Sequence, residues 1–338
     1  MFELTRSRAR HLLEYVRGAE VAVVGDVMLD RYFWGTVNRV SPEAPVPVVD
    51  VENETFHLGG AANVAANLAS LGAKPLLCGI VGDDASGRLL RQIAQDEGLT
   101  SEGIITDATR PTTVKTRVIG NNQQIVRLDR EDRSNVAADV AQRVLALLSN
   151  RPQLKAIILE DYNKGLLSVH CITAIIALAR QAGIPVFVDP KKVNFFAFRD
   201  AYLVKPNRKE AEEALGRPLR SIRDIEDAGH DLRASLGAEN VLITLGAEGM
   251  MLVESDGTVS TVPTVAHRVA DVSGAGDTVI ATIAAMVAAG APLREAAALA
   301  NVSAGVVVAE PGIVSITPAA LLQAIPDSGM VAEPLVER

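Results

Sequence analysis

A chain of 338 residues, 48% hydrophobic and 22% charged, is globular by composition and long enough for one large domain or two ordinary ones. Its net charge of −8 disfavours binding that rests on neutralising nucleic-acid phosphates or an anionic membrane face, so neither partner is expected. Seven Phe, four Tyr and one Trp are too few for a base-stacking platform, whereas 26 Gly favour close helix–sheet packing and tight turns.

The first residues carry Arg6, Arg8, Arg10, Glu14 and Arg17 and never settle into the apolar core of a signal peptide. Apolar runs without polar alternation then predict buried strands at 20–25, 76–81, 156–159, 185–188, 201–204 and 240–245. Between them helical spacing predicts helices at 62–71, 86–97, 136–148, 169–182, 208–215 and 222–236, followed by an apolar helix at 279–289. Two pieces break the alternation: an extended segment at 45–51, and a hairpin in which 112–119 and 123–128 flank a Gly120-Asn121-Asn122 turn. Either piece serves as a lid, an oligomer contact or a plain surface hairpin. Cys78 and Cys171 lie far apart without Cys-x-x-Cys spacing, which gives neither a disulfide framework nor a zinc site and fits a reduced compartment. The longest uncharged stretch, 278–293, is shorter than the ~20 residues a membrane helix needs. A soluble, cytoplasmic protein is expected, with a loosely ordered tail after Pro326.

Alternating strands and helices imply an α/β fold with a mostly parallel sheet, helices on both faces and ligands at the carboxyl ends of the strands. Four stretches fall at such ends. Asp271-Val272-Ser273-Gly274-Ala275-Gly276-Asp277-Thr278 runs into the apolar helix. Its small residues let a ligand approach the free N–H groups and positive dipole end of the first turn, an anion hole. Asp277 in that turn either caps the helix or takes the proton of an attacking hydroxyl. Gly59-Gly60-Ala61-Ala62-Asn63 opens another helix, and either packs it tightly or makes room for a polyol, with Asn63 offering a donor and an acceptor. Lys205-Pro206-Asn207-Arg208-Lys209-Glu210 follows a strand, so Asn207 and Glu210 form either a helix cap or supports for the water around a Mg²⁺ at a triphosphate. Thr244-Leu245-Gly246-Ala247-Glu248-Gly249 is either a strand-ending turn or a rest for nucleotide phosphates or ribose.

Taken together, the segments at 59–63 and 271–277 resemble the two signatures of the ribokinase family, the PfkB-type carbohydrate kinases, and the resemblance spans residues 19–325. Ser273 stands where many members have Thr. Three further stretches, at 25–32 (Gly25-Asp26-Val27-Met28-Leu29-Asp30-Arg31-Tyr32), 39–48 and 122–129, resemble the kinase half of bacterial bifunctional heptose kinase/adenylyltransferases. That half phosphorylates the anomeric hydroxyl of D-glycero-β-D-manno-heptose 7-phosphate on the route to ADP-heptose and lipopolysaccharide. The partner half carries a His-x-Gly-His loop that His11, His57, His170, His230 and His267 do not supply, so a stand-alone kinase is expected.

The resemblance implies a ribokinase-like body over 1–330 with lid segments at about 33–58 and 110–130, and a tail at 331–338. It implies ATP and Mg²⁺, with K⁺ as a further cation, and a homodimer formed through the lid. By resemblance Asp277 is the base, and Gly274, Ala275 and Gly276 form the anion hole. Asn207, Glu210 (through water), Thr244, Gly246 and Gly249 serve ATP and the metal, and Asp271 is the side-chain candidate for the monovalent cation. Asp30, Gly59, Gly60 and Asn63 match polyol-binding positions. The sugar's 7-phosphate calls for cations, and Arg39, Lys164, Lys191 and Lys192 are the candidates. Two rivals stay open at this point: a kinase of the same fold for a fructose phosphate, ribose or a nucleoside, and a non-catalytic sugar- or nucleotide-binding regulator.

Overall fold

The computed structural model describes residues 2–264, 268–326 and 330–332. In chain order the elements are β1 (Phe2–Leu4), α1 (Arg6–Val16), β2 (Glu20–Gly25), β3 (Val27–Val40), β4 (Pro47–Gly60), α2 (Ala61–Ser70), β5 (Lys74–Val81) and α3 (Ala85–Asp96). They continue with β6 (Ile104–Thr106), β7 (Val114–Gly120), β8 (Gln123–Arg130), α4 (Ala138–Ser149), β9 (Ala156–Glu160), α5 (Val169–Ala182) and β10 (Val186–Asp189). Then come β11 (Leu203–Val204), α6 (Arg208–Leu215), α7 (Ile222–Leu236), β12 (Asn240–Thr244), β13 (Met250–Val253), β14 (Val259–Val262), α8 (Ala275–Ala288), α9 (Leu293–Val307), α10 (Pro318–Ala324) and β15 (Met330–Ala332).

The main sheet has nine strands in the order β14-β13-β12-β11-β10-β9-β2-β5-β6. It is parallel from β12 to β6, and β13 and β14 add an antiparallel edge. The strands are apolar because both faces are covered, and successive residues feed opposite layers. On β2, Val21 and Val23 pack with α1, α2, α8 and α9, while Ala22 and Val24 pack with α4, α5 and α7. Phe187 and Leu242 face the first layer, Val188 and Ile243 the second. No described helix is long and apolar enough to cross a membrane.

A second sheet of four strands, β4-β3-β7-β8, stands off the body as a lid. The β7–β8 hairpin turns at Asn121 and Asn122, both with positive φ (51° and 63°), the two-residue loop that the Gly120-Asn121-Asn122 sequence predicts. The lid strands are longer than the expected segments: β3 starts at Val27 and β4 runs to Gly60, because both strands are rooted in the buried body and become exposed only toward their far ends. That gradual change of burial, with polar residues throughout the outer part, is why β3 has no clean strand period in sequence.

Other differences have similar causes. The apolar stretch at 278–293 is divided at Gly290-Ala291-Pro292 between α8 and α9, where Gly290 adopts φ +85° and Pro292 caps the next helix. β15 pairs antiparallel with β1, so Val331 and Ala332, expected in the tail, lie in a strand; residues 327–329 and 333–338 of that tail lie outside the described residues.

Candidate active site

The carboxyl ends of β2, β9, β10, β11 and β12 converge with the N-termini of α2 and α8 and the root of the lid. At the centre is Asp277, third residue of α8, only 4% exposed. Its carboxylate is held by side chains from elsewhere rather than by its own helix end. Asn63 Nδ2 donates to Oδ2 at 2.8 Å and the Tyr162 hydroxyl donates to Oδ1 at 3.0 Å. Burial pushes the Asp277 carboxyl up to about 6, with Asp189 adding to the rise and the bonds from Asn63 and Tyr162 and the charge of Lys205 opposing it. An acid in that range is poised to accept a proton near neutral pH.

Gly274 caps α8 in the left-handed region, φ +77°, where a Cβ would lie 2.7 Å from Asn63 Nδ2. The Ala275 amide already bonds Val272 O at 3.3 Å, so the donors left at the helix end are those of Gly276 and Asp277, which meet no backbone acceptor among the described residues. A Cβ on Gly276 would come 3.5 Å from Lys205 Nζ and 3.8 Å from Asp189 Oδ2, which places that ion pair directly behind the anion hole. Lys205 is buried, and its ammonium lies 2.7 Å from Asp189 Oδ2. Glu160, at the end of β9, completes a buried group in which ligand-type oxygens of Glu160, Asp189 and Asp277 lie within 4.8 Å of one another.

Asp30 and the glycine pair meet at the lid root, since β3 and β4 pair Met28 with Gly59 and Val27 with Gly60. A Cβ on Gly59 would collide with Asp30 Oδ2, and one on Gly60 with Asp26 O. These glycines therefore make room for neighbouring protein groups as well as for a ligand. Asp30 is bonded by Arg117 of β7, a cation that the sequence pattern places only on the polar face of a hairpin.

Asn207 and Glu210 form a full capping box at α6: Asn207 Oδ1 accepts from Glu210 N at 2.9 Å and Glu210 Oε2 from Asn207 N at 2.8 Å. Glu210 Oε1 is bonded by Lys191. With both oxygens already engaged, Glu210 suits a role through water better than direct ligation of a cation. Thr244 N bonds Pro206 O at 3.0 Å and Arg208 pairs with Glu248 at 2.8 Å, so the 205–210 and 244–249 loops form one wall. On it Gly246, at φ +61°, faces open space, whereas Gly249, at φ +90°, is pressed against Val262 O.

The four cations expected at the sugar phosphate separate. Lys191 is in the site, bonded to Glu210 and with its ammonium 5.2 Å above the Tyr162 ring. Lys192 is turned out and pairs with Glu213 at 3.7 Å. Lys164 is buried against Glu131 at 2.8 Å beneath the β8–α4 loop. Arg39 lies nine residues beyond Asp30 on β3, roughly 30 Å away along an extended strand, and pairs with Asp50. Asp271 Oδ1 accepts from Ser273 N at 2.8 Å. Tyr162, Glu160 and Asp189 are site residues outside the four stretches, and Lys205 opens one of them without a role assigned to it. Their shared signal is position: apart from Tyr162, each ends or directly follows a buried apolar strand with an ionisable group.

Comparison with known proteins fits this geometry. The description "pfkB family carbohydrate kinase" matches residues 19–320. The chain belongs to the pfkB carbohydrate kinase family. Within it, the chain is 44% identical over 323 residues to the bifunctional protein HldE of Pelobacter propionicus, covering 95% of this chain and 66% of that one. It is 45% identical to HldE of Magnetococcus marinus, covering 88% and 62%. The chain thus spans less than two thirds of the length of these relatives. The same kinase fold is seen in Arabidopsis thaliana ribokinase complexed with ribose and ATP (TM-score 0.73, 21% identity, 91% and 98% of the two chains). It is seen again in Escherichia coli phosphofructokinase-2 in complex with potassium (TM-score 0.74, 20% identity, 91% and 98%).

The Asn63 bond stabilises the charged form of Asp277, so its loss raises the titration of that carboxyl. In Asn63→Ala, carboxyl-¹³C NMR of labelled aspartate should show Asp277 titrating at higher pH than in the parent; an unchanged or lower midpoint would refute the electrostatic role given to Asn63.

Proposed function

We propose that this chain transfers the γ-phosphoryl group of ATP to the C1 hydroxyl of D-glycero-β-D-manno-heptose 7-phosphate, giving the 1,7-bisphosphate, in the cytoplasm where ATP is supplied. The observation that carries the phosphotransferase reading is the placement of Asp277: a buried carboxylate at the mouth of an anion hole, gripped from the polyol side by Asn63. The choice of heptose rests on the identity of 44% over 95% of the chain with HldE, together with the heptose-kinase-like stretches at 25–32, 39–48 and 122–129.

In this reading Asp277 takes the proton of the C1 hydroxyl, whose hemiacetal character makes it more acidic than an ordinary alcohol. The freed oxygen pair forms the new bond to the γ-phosphorus as the bond to the bridging oxygen breaks, and those electrons leave on ADP. Charge spreading over the γ-phosphoryl oxygens is met by the amides of Gly276 and Asp277, the dipole of α8 and the ammonium of Lys205 behind them. Positioning and charge neutralisation account for most of such a reaction, so no covalent nucleophile is required. Mg²⁺, when bound with ATP, neutralises phosphate charge, and the Asn207–Glu210 box would hold its water shell. Thr244, Gly246 and Gly249 line the nucleotide wall, and Lys191 reaches the phosphates from the same side. Asp271 is the candidate side-chain ligand for K⁺. Asp30, Gly59, Gly60 and Asn63 hold the sugar, with Arg117 tying Asp30 to the lid. The lid sheet exposes Val40, Val51 and Leu128, each more than half exposed, which supports a homodimer through that sheet.

ATP-dependent phosphorylation of heptose 7-phosphate, fructose 6-phosphate and ribose tests the substrate directly; the heptose should win in kcat/KM, and preference for another sugar would overturn the assignment. Asp277→Asn should keep ligand binding and lower kcat by about 10²–10⁴-fold. Because the base works only when ionised, kcat in the parent should be sustained above about pH 6 and fall as the pH drops through it. For Lys191→Ala, KM should rise for ATP and hold for the sugar; a rise for the heptose alone would return Lys191 to the 7-phosphate. Light scattering should give the mass of two chains, and a monomeric mass would count against the lid interface.

A further inference from the structure

Glu160 takes no part in the transfer just described, yet it lies at the floor of the site. It is fully buried, and among the described residues neither carboxylate oxygen has a hydrogen-bond partner. Its neighbour on β2 is Gly25, where a Cβ would collide with the Glu160 backbone and Cβ, so the glycine is what lets the two strand ends lie this close. The charged and titratable groups facing it are Asp189 and Lys191 from the end of β10, Lys205 after β11, Asp277 from α8 and Tyr162 from the following loop. Asp26, at the end of β2, turns its carboxylate away to the amides of Tyr162 and Lys164.

None of these groups supplies Glu160 with a counter-charge of its own. Lys205 is committed to Asp189 at 2.7 Å, and Lys191 is bonded to Glu210. The Tyr162 hydroxyl donates to Asp277. An ionised carboxylate in this position would be dehydrated, without a donor and beside two like charges, the arrangement that proteins relieve by protonation or by a metal. A divalent cation seated among the three carboxylates would bring a second positive centre up to the Lys205 ammonium, which already answers Asp189. A proton needs no such room.

We propose that Glu160 stands in the resting site as a neutral carboxylic acid and acts as a positioning residue for Asp277, keeping a like charge away from the base and from the incoming triphosphate. The idea rests on the reading of Asp277 as the base. Burial, reinforced by Asp189 and Asp277, holds the Glu160 carboxyl well above the ordinary carboxylate range despite the opposing charges of Lys205 and Lys191, in keeping with a protonated group at neutral pH. As pH rises far enough to ionise Glu160, a new negative charge faces Asp277 and the phosphates, and turnover declines on the alkaline side.

Infrared difference spectroscopy of the nucleotide-free protein at neutral pH tests this. The parent should show the carbonyl stretch of a protonated, buried carboxylic acid. Glu160→Gln should lose that band, Asp277→Asn should keep it, and Glu160→Gln should shift the alkaline limb of kcat to higher pH. Absence of the band in the parent would overturn the proposal, as would its persistence in Glu160→Gln. Tight Mn²⁺ binding by the nucleotide-free parent that Glu160→Gln abolishes would also overturn it, showing a cation where we place a proton. If Glu160→Gln does not fold, carboxyl-¹³C glutamate NMR of the parent answers the same question: a buried glutamate titrating above neutrality is expected, and its absence refutes the idea. A band at Glu160 with normal turnover in Asp277→Asn would instead sink the base assignment alone.

Discussion

The hydrogen bond from Asn63 Nδ2 to Asp277 Oδ2 joins the first turns of two helices that sit side by side on one face of the sheet, α2 and α8. It is extended by Asn67, one turn further along α2, whose amide bonds Asn63 and whose carbonyl oxygen accepts from the Thr278 hydroxyl and from Ile316 N. These amides are buried, so each must be satisfied within the protein, and each is. The helices can approach this closely because α2 contributes Ala61, Ala62, Ala65 and Ala66 and α8 contributes Ala281, Ala284 and Ala285. One polar seam in an alanine-rich contact thereby fixes the distance between the loop assigned to the sugar and the helix end assigned to the phosphoryl group, which is the dimension a direct transfer must control.

The second constraint is electrostatic. On the proposed function, a protein of net charge −8 has to hold a nucleoside triphosphate and a sugar phosphate without help from its overall field. The site answers locally, with two helix amides, Lys205 behind them and Lys191 beside Glu210. Both lysines are held above their ordinary range because neighbouring carboxylates outweigh the cost of burial, so both stay charged. Burial, with Asp189 adding to it, is what carries Asp277 into a range useful to a general base.

How much of this was legible in sequence follows the same physics. Helices such as α5 and α7 have bounds that match the expected ones, since each opens on a capping Ser and closes on a left-handed Gly. The glycine-bearing turn into α8 and its aspartate were legible because small residues before an apolar helix form a local pattern. Arg117, Tyr162, Glu160 and Lys205 were not, because what makes each a site residue is a partner far away in the chain: Asp30, Asp277, and the neighbouring strand ends. Lys191 shows the converse. Its position after a strand sets it at the carboxyl end of the sheet, while its bond to Glu210, nineteen residues on, shows only in three dimensions. The partners of Lys164 and Arg39, Glu131 and Asp50, were likewise not legible in the chain.

The central claim is that Asp277 and the α8 amides meet the sugar hydroxyl and the γ-phosphoryl group from opposite sides. A crystal structure of the protein with heptose 7-phosphate and a Mg²⁺-loaded non-hydrolysable ATP analogue tests it most directly. The account predicts the C1 oxygen within hydrogen-bond reach of the Asp277 carboxylate and the γ-phosphate oxygens on the amides of Gly276 and Asp277. A C1 hydroxyl turned away from Asp277, or a triphosphate seated away from the α8 N-terminus, would contradict it.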